Sequence, residues 1–118
     1  MYELMVEDSF DAAHALRGYE GPCENLHGHT WKVQVYLDGE KLNKIGLLED
    51  FKTIKAELKT VLAEFDHKLL NDLKQFEQEN PSSENIARDI FGKMKKKLKT
   101  INKVTVWEST TSCANYWE

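Results

Sequence analysis

Apolar side chains recur at every second residue over two long stretches of the chain and at every third or fourth over two others, so strands and helices can be told apart by period. From Met1 to His14, Tyr2, Leu4, Val6, Phe10 and Ala12 share one parity, while Glu3, Glu7, Ser9 and Asp11 take the other; Met5 and Asp8 are the exceptions. This is the pattern of a half-buried strand, and His14 extends its apolar face at the end. The alternation returns from about His27 to Leu37, with Trp31, Val33, Val35 and Leu37 on the parity of His27 and His29, and Thr30, Lys32 and Gln34 opposite. Between the two strands, Leu16-Arg17-Gly18-Tyr19-Glu20-Gly21-Pro22 reads as a loop leading into Cys23.

The period then changes. Phe51, Ile54, Leu58, Leu62 and Phe65 line one side of a predicted helix opposite Lys52, Lys55 and Lys59, with Asp50 as its N-cap. It stops before Asp66-His67, an acid beside a histidine that reads either as a polar helix end or as a catalytic pair. Asn80-Pro81-Ser82-Ser83-Glu84 starts a second helix, capped by Asn80 or Ser82, whose stripe is Ile86, Ile90, Met94 and Leu98. Lysines 93, 95, 96, 97 and 99 suit the negative end of that helix and read as a solvated turn rather than an anion site. Val104 and Val106 predict a short strand that places Glu108 on their own face. Ala114 to Trp117 is a weaker strand, with Cys113 before it as a small filler. The order β-β-α-α-β-β implies an α+β domain, a four-stranded antiparallel sheet with two helices on one face. So small a sheet leaves edges and a second face to cover, which favours oligomers.

A chain of 118 residues with 41% hydrophobic positions can build one core, so a single domain spanning 1–118 is expected. Sixteen Lys and Arg against twenty Asp and Glu give a formal charge of −4, which argues against a general nucleic-acid or membrane surface. An anionic substrate would need a local basic cluster. Two cysteines make no disulfide framework, and no leader pattern or long apolar run opens the chain, so a reducing cytoplasm is the expected setting.

The chemistry concentrates in Cys23-Glu24-Asn25-Leu26-His27-Gly28-His29, which holds half of the chain's histidines. On a strand, imidazoles at i and i+2 project from one face, while Gly28 leaves the other side open to close packing. Antiparallel pairing of the two strands in a suitable register would bring His14 to the same end of the core. Three imidazoles are a ligand set for zinc, which binds nitrogen at about 2.0 to 2.1 Å and in catalytic sites keeps a fourth position open.

The combination of Phe10-Asp11-Ala12-Ala13-His14, Cys23-x-x-x-His27-Gly28-His29, Asp50-Phe51, Asp66-His67-x-x-Leu70-Asn71, Pro81-Ser82-Ser83-Glu84-Asn85 and Trp107-Glu108-Ser109 resembles the 6-pyruvoyl tetrahydropterin synthase family, and most of all its carboxy-forming branch in queuosine biosynthesis. These motifs span nearly the whole chain in the family's order. The resemblance implies the tunnelling fold, in which trimers form a barrel and two trimers stack into a homohexamer. It implies zinc on His14, His27 and His29, Cys23 as general acid/base, and Asp66 with His67 completing the catalytic group from a neighbouring subunit. Glu108 matches the acid that anchors the pterin, with Ser82 and Ser83 at the hydroxyl positions near the ring. Serine stands where threonine is commoner at the first of these and after the anchoring acid. The implied substrate is dihydroneopterin triphosphate, and Arg17 is the first candidate to meet its phosphates.

Several readings compete. The pyruvoyl-forming enzyme shares substrate and ligands but carries a longer insert between its cysteine and histidine, whereas three residues separate Cys23 from His27 here. A folate-pathway variant uses a glutamate base in place of a lone cysteine. A structural zinc protein or noncatalytic pterin-binding oligomer would want a fourth protein ligand, for which Cys23 is the nearby candidate. A cupin-like metal enzyme is disfavoured because no glutamate follows His29 at that fold's short spacing.

Overall fold

The computed structural model describes all 118 residues except the side chain of Cys23. Two 13-residue strands, β1 (Tyr2–His14) and β2 (His27–Gly39), form a long antiparallel pair. Helix α1 spans Phe51–Leu62, strand β3 Lys68–Leu69, helix α2 Ser83–Lys97, strand β4 Ile101–Trp107 and strand β5 Cys113–Trp117. The sheet order is β3-β1-β2-β4-β5. The expected four strands are therefore five. β3 pairs parallel to β1 through Lys68 with Ala12 and Leu69 with Ala13, and two residues are too few to show a period. The other neighbours pair antiparallel, as the alternation predicts.

Both helices cover one face. Ile54, Leu58 and Val61 of α1, and Ile86, Ile90 and Met94 of α2, are buried against Phe10, Trp31, Val33, Val35, Val104 and Val106. Tyr2 and Phe51 belong to the apolar pattern yet stay 50% and 48% exposed, because each stands at the first residue of its element. Cys113 is exposed on β5 and fills nothing, which corrects its reading as a small core residue.

The uncovered face is polar and linked by hydrogen bonds. Thr30 Oγ1 donates to Asp11 Oδ1, Gln34 Nε2 donates to Glu7 Oε1, and Trp107 Nε1 donates to Gln34 Oε1. Lys32 and Lys103 lie over the rings of Trp107 and Tyr36 at 4.9 and 4.1 Å. These residues occupy the parity that the sequence pattern assigns to solvent.

The helix starts follow their caps. Asp50 Oδ1 accepts from Lys52 N at 2.8 Å, and Ser82 Oγ accepts from Asn85 N at 3.2 Å, so Ser82 rather than Asn80 caps α2. Ser82→Ala should lower stability by about 0.5 to 2 kcal/mol, the usual worth of such a cap. Urea unfolding measures it, and an unchanged midpoint would mean that the cap contributes nothing. At the other end of α2, Lys95 Nζ donates to the carbonyls of Lys99 and Ile101, both at 2.7 Å, while Lys93 and Lys97 pair with Asp89 and Glu57. Three of the lysines expected to form a solvated turn are thus engaged with carbonyl and carboxylate partners that tie off the helix.

Candidate active site

The β1–β2 register sets His14 opposite His27 and Ala12 opposite His29, so three imidazoles meet at one end of the core face. Trp31 is their floor. The rings of His14 and His29 stand edge-on to it at centroid distances of 4.8 and 5.2 Å, and its Nε1 donates to the Ala12 carbonyl. His14 Nδ1 bonds the Pro81 carbonyl and His27 Nδ1 the Asn25 carbonyl, each at 2.7 Å. A carbonyl can only accept, so both rings carry their proton on Nδ1 and turn a free Nε2 lone pair inward. A backbone carbonyl in this role is the usual outer support of a metal-bound histidine.

Glu108, just beyond β4, completes the cluster. Its Oε1 lies 3.0 Å from His29 Nε2, 3.4 Å from His14 Nε2 and 3.9 Å from His27 Nε2, and the Nε2 atoms of His14 and His27 are 3.1 Å apart. A tetrahedral zinc with bonds of about 2.05 Å spaces its ligand atoms about 3.3 to 3.4 Å apart, so these donors fit one ion. His29 Nε2 is moreover buried and, among the described residues, faces only Glu108 Oε1 at 3.0 Å without a well-formed hydrogen bond, an arrangement that a shared cation would satisfy. Burial holds the His29 imidazole below its ordinary pKa, with Glu108 opposing, which favours the neutral form that ligates. Pro22, His27, His29 and Glu108 line a cleft of roughly 260 Å³ beside the cluster.

Asp11, Asp66 and His67 form a second group of acids and histidine. His67 sits in a left-handed turn (φ 57°) and its backbone N–H donates to the Asp11 carbonyl. Asp66 Oδ1 accepts from Asp11 N at 2.9 Å, while its Oδ2 is 3.0 Å from His67 Nδ1. The dyad is thus pinned to β1, with the His67 side chain 79% exposed. Asp11, Gly28, His29, Thr30 and His67 line a groove of roughly 540 Å³, so His29 borders the dyad's groove as well as the imidazole cluster, while Asp11 and Thr30 belong to the polar face. An added Cβ at Gly28 would meet only the Ala12 carbonyl, at 4.0 Å, so close packing within the chain does not require this glycine.

The backbone N–H of Asp11, ahead of His67, holds the Asp66 carboxyl below the usual aspartate range. A folded-state pKa below the unfolded one adds stability above the unfolded value and loses it as pH falls through the folded one, below about 4. Asp66→Asn should therefore flatten the acid limb of stability against pH. Parallel acid limbs in urea unfolding would count against this.

The remaining expected site residues are placed unevenly. Ser83 Oγ is 3.5 Å from Glu108 Oε2, whereas the Ser82 hydroxyl caps α2. Arg17 donates from Nη1 to the Glu79 carbonyl and from Nη2 to the Asn71 carbonyl, at 3.2 and 3.4 Å, so its guanidinium ties two loops together. Cys23 belongs to a short 3-10 turn, Pro22–Glu24, and its side chain lies outside the described residues. Sequence reasoning missed the carbonyl of Pro81 and the side chain of Asn71, which bonds both Ala15 N and Ala15 O at 2.9 Å. Asn71 stood in a quoted motif, but no local period assigns it a partner 56 residues away.

A mixed sheet backed by two helices, with three strand-borne histidines and a carboxylate that could hold a metal, defines a class of small α+β protein with a metal-capable site. Residues 3–118 match the 6-pyruvoyl tetrahydropterin synthase family, and the chain belongs to it. It is 37% identical to the 6-carboxy-5,6,7,8-tetrahydropterin synthase of Synechocystis, over 99% of this chain and 94% of that protein. It is 38% identical to the dihydroneopterin monophosphate aldolase of Pyrococcus furiosus, over 89% of this chain and 88% of that one. The structure of 6-pyruvoyl tetrahydropterin synthase from Caenorhabditis elegans superposes with a TM-score of 0.91 at 30% identity, covering 99% of this chain and 95% of the other. The chain is therefore a pterin-processing enzyme of the lyase type. No described helix is long and apolar enough to cross a membrane.

Proposed function

We propose that this chain converts 7,8-dihydroneopterin triphosphate and water to 6-carboxy-5,6,7,8-tetrahydropterin, acetaldehyde and triphosphate, the carboxy-forming reaction of queuosine biosynthesis, and that it depends on zinc. The observation that carries this reading is the convergence of His14, His27, His29 and Glu108 within 4.8 Å of one another, in a chain similar over nearly its whole length to a synthase of that name.

Bound to the three imidazoles, zinc would act as a Lewis acid toward the substrate's side-chain oxygens and make the neighbouring C–H bonds more acidic. The protein's own groups do the rest. Glu108 would accept the 2-amino and ring N–H donors of the pterin and so set the heterocycle's orientation. Ser83 lies beside that carboxylate, and Ser82 would approach the ring from the cap of α2. Cys23, as thiolate, would remove and return protons on the side chain, helped by a nearby cation that lowers its pKa. Asp66 orients His67 by their 3.0 Å contact and would stabilise its charged form during proton transfer. Arg17 keeps N–H donors beyond the two it spends on carbonyls, enough for a phosphate contact.

The His67 dyad does not share the 4.8 Å cluster of His14, His27, His29 and Glu108, and its 79% exposed imidazole is free to serve a second copy. The 260 Å³ cleft, below the roughly 300 Å³ at which ligand sites begin, also wants further walls. β3 and β5 are unpaired on their outer edges, and the polar sheet face is open. Trimeric barrels stacked as a hexamer would cover both.

A second reading has its own observation. Glu24 is exposed directly after Cys23, and the Pyrococcus relative is an aldolase. Glu24 as base would favour cleavage to a 6-hydroxymethyl pterin and a phosphorylated two-carbon aldehyde. Product analysis separates the readings: acetaldehyde with carboxytetrahydropterin supports the proposal, triphosphate with a diketo pterin favours the pyruvoyl-forming reaction, and the two-carbon aldehyde favours the aldolase. No turnover with a metal-loaded oligomer would leave a noncatalytic pterin-binding protein.

A further inference from the structure

Glu108 is asked to be in two places. The pterin-anchoring role commits both its oxygens to the pterin's paired N–H donors. In the structure, however, Oε1 lies 3.0 to 3.9 Å from all three imidazole Nε2 atoms, near enough to be a fourth ligand of an ion that the three would hold. One carboxylate cannot present its full bidentate face to a ring and ligate a metal with the same atom.

The geometry points to a carboxylate exchange: without substrate, Glu108 is the fourth ligand and closes the metal centre, and a seated pterin draws the carboxylate onto its own N–H groups and so opens the position for the substrate's side-chain oxygens. This rests on the proposed pterin-processing reading and adds an order of events to it. The backbone does not need to move, since Glu108 N is held by the Ser112 carbonyl at 3.2 Å. The side chain has room to turn: it is 31% exposed, borders the cleft lined by Pro22, His27 and His29, and among the described residues its Oε2 has only the 3.5 Å contact with Ser83. With Glu108 in place the centre carries a negative ligand. Stray phosphates and carboxylates then find no vacant site, and only a ligand bearing the pterin's donor pair can exchange with it.

The test uses the full-length protein loaded with cobalt(II), whose visible spectrum reports coordination, and unsubstituted pterin, which has the ring donors but no side chain to reach the metal. Pterin binding is followed by calorimetry. Wild-type protein should bind pterin and change its cobalt spectrum as it does so. Glu108→Ala, and Glu108→Gln as the better shape match, should show the altered spectrum from the start and not respond to pterin. Because coupling between two sites is reciprocal, saturating pterin should also weaken wild-type cobalt affinity in a chelator competition by about 5- to 100-fold, and leave both variants unchanged. If wild type binds pterin but shares its pterin-free spectrum with the variants, the exchange is overturned and the pterin anchor stands. If wild type differs from the variants yet binds no pterin, Glu108 is a permanent ligand, and the exchange and the proposed function fall together.

Discussion

His29→Ala should lose most of its zinc and, with it, turnover, whereas Cys23→Ala should keep near-stoichiometric zinc and its assembly while turnover falls by about 100-fold or more, the scale of a general base. His29 is the better ligand to remove, because its side chain is 24% exposed while that of His14 is 1% exposed and packed on Trp31. Its loss should cost more than the roughly 10- to 100-fold that removing even an outer support of a metal ligand costs. Elemental analysis beside turnover on the two variants tests both halves. Zinc leaving with Cys23→Ala would instead mean a sulfur ligand and a structural site.

Two inactive variants should recover activity when their subunits are mixed. His67→Ala breaks the dyad and His29→Ala breaks the imidazole cluster, and neither homo-oligomer should turn over. If each site draws its dyad from one copy and its cluster from another, equal mixing followed by reassembly makes about one site in four intact, so roughly a quarter of wild-type turnover should return. A mixture that stays as inactive as its parents, at the same oligomeric size, would place dyad and cluster in the service of a single chain. The exposed His67 side chain, held by a backbone bond to Asp11 rather than by core packing, is poised to reach outward.

Where one face of an element is buried and the other is wet, this fold could be read from the chain. Period alone located β1, β2 and both helices, and because side chains alternate strictly along a strand, it also put His14, His27 and His29 on the core side with Trp31. β3 escaped because a pair of residues has no period, and it follows from the turn at His67 instead. Parity placed Glu108 on the right face but could not say how near the imidazoles it comes, since that depends on the β2–β4 register. The bonds from Asn71 to Ala15 and from Asn80 to Arg17 join segments more than 50 residues apart, so nothing in either segment announces them. Arg17 was legible as a cation on a loop, but its present partners are carbonyls, which have no sequence signature.

The connection between β1 and β2 can change length at little cost to the fold. Its first residues are anchored, Ala15 to Asn71 and Arg17 to Asn80, and the imidazoles beyond it are held by strand register and by Trp31 rather than by the connection itself. Between these anchors, Gly18 and Gly21 are both in positive-φ conformations and the segment is exposed. Doubling a flexible loop costs only about 0.6 kcal/mol, so residues can be gained or lost here with little penalty to the fold. Each such change would leave the triad of histidines in place, since the strand register holds it. Indels in this one short segment leave the strand register intact, whereas a single-residue insertion within either long strand would turn the residues beyond it to the other face and scatter the imidazole cluster.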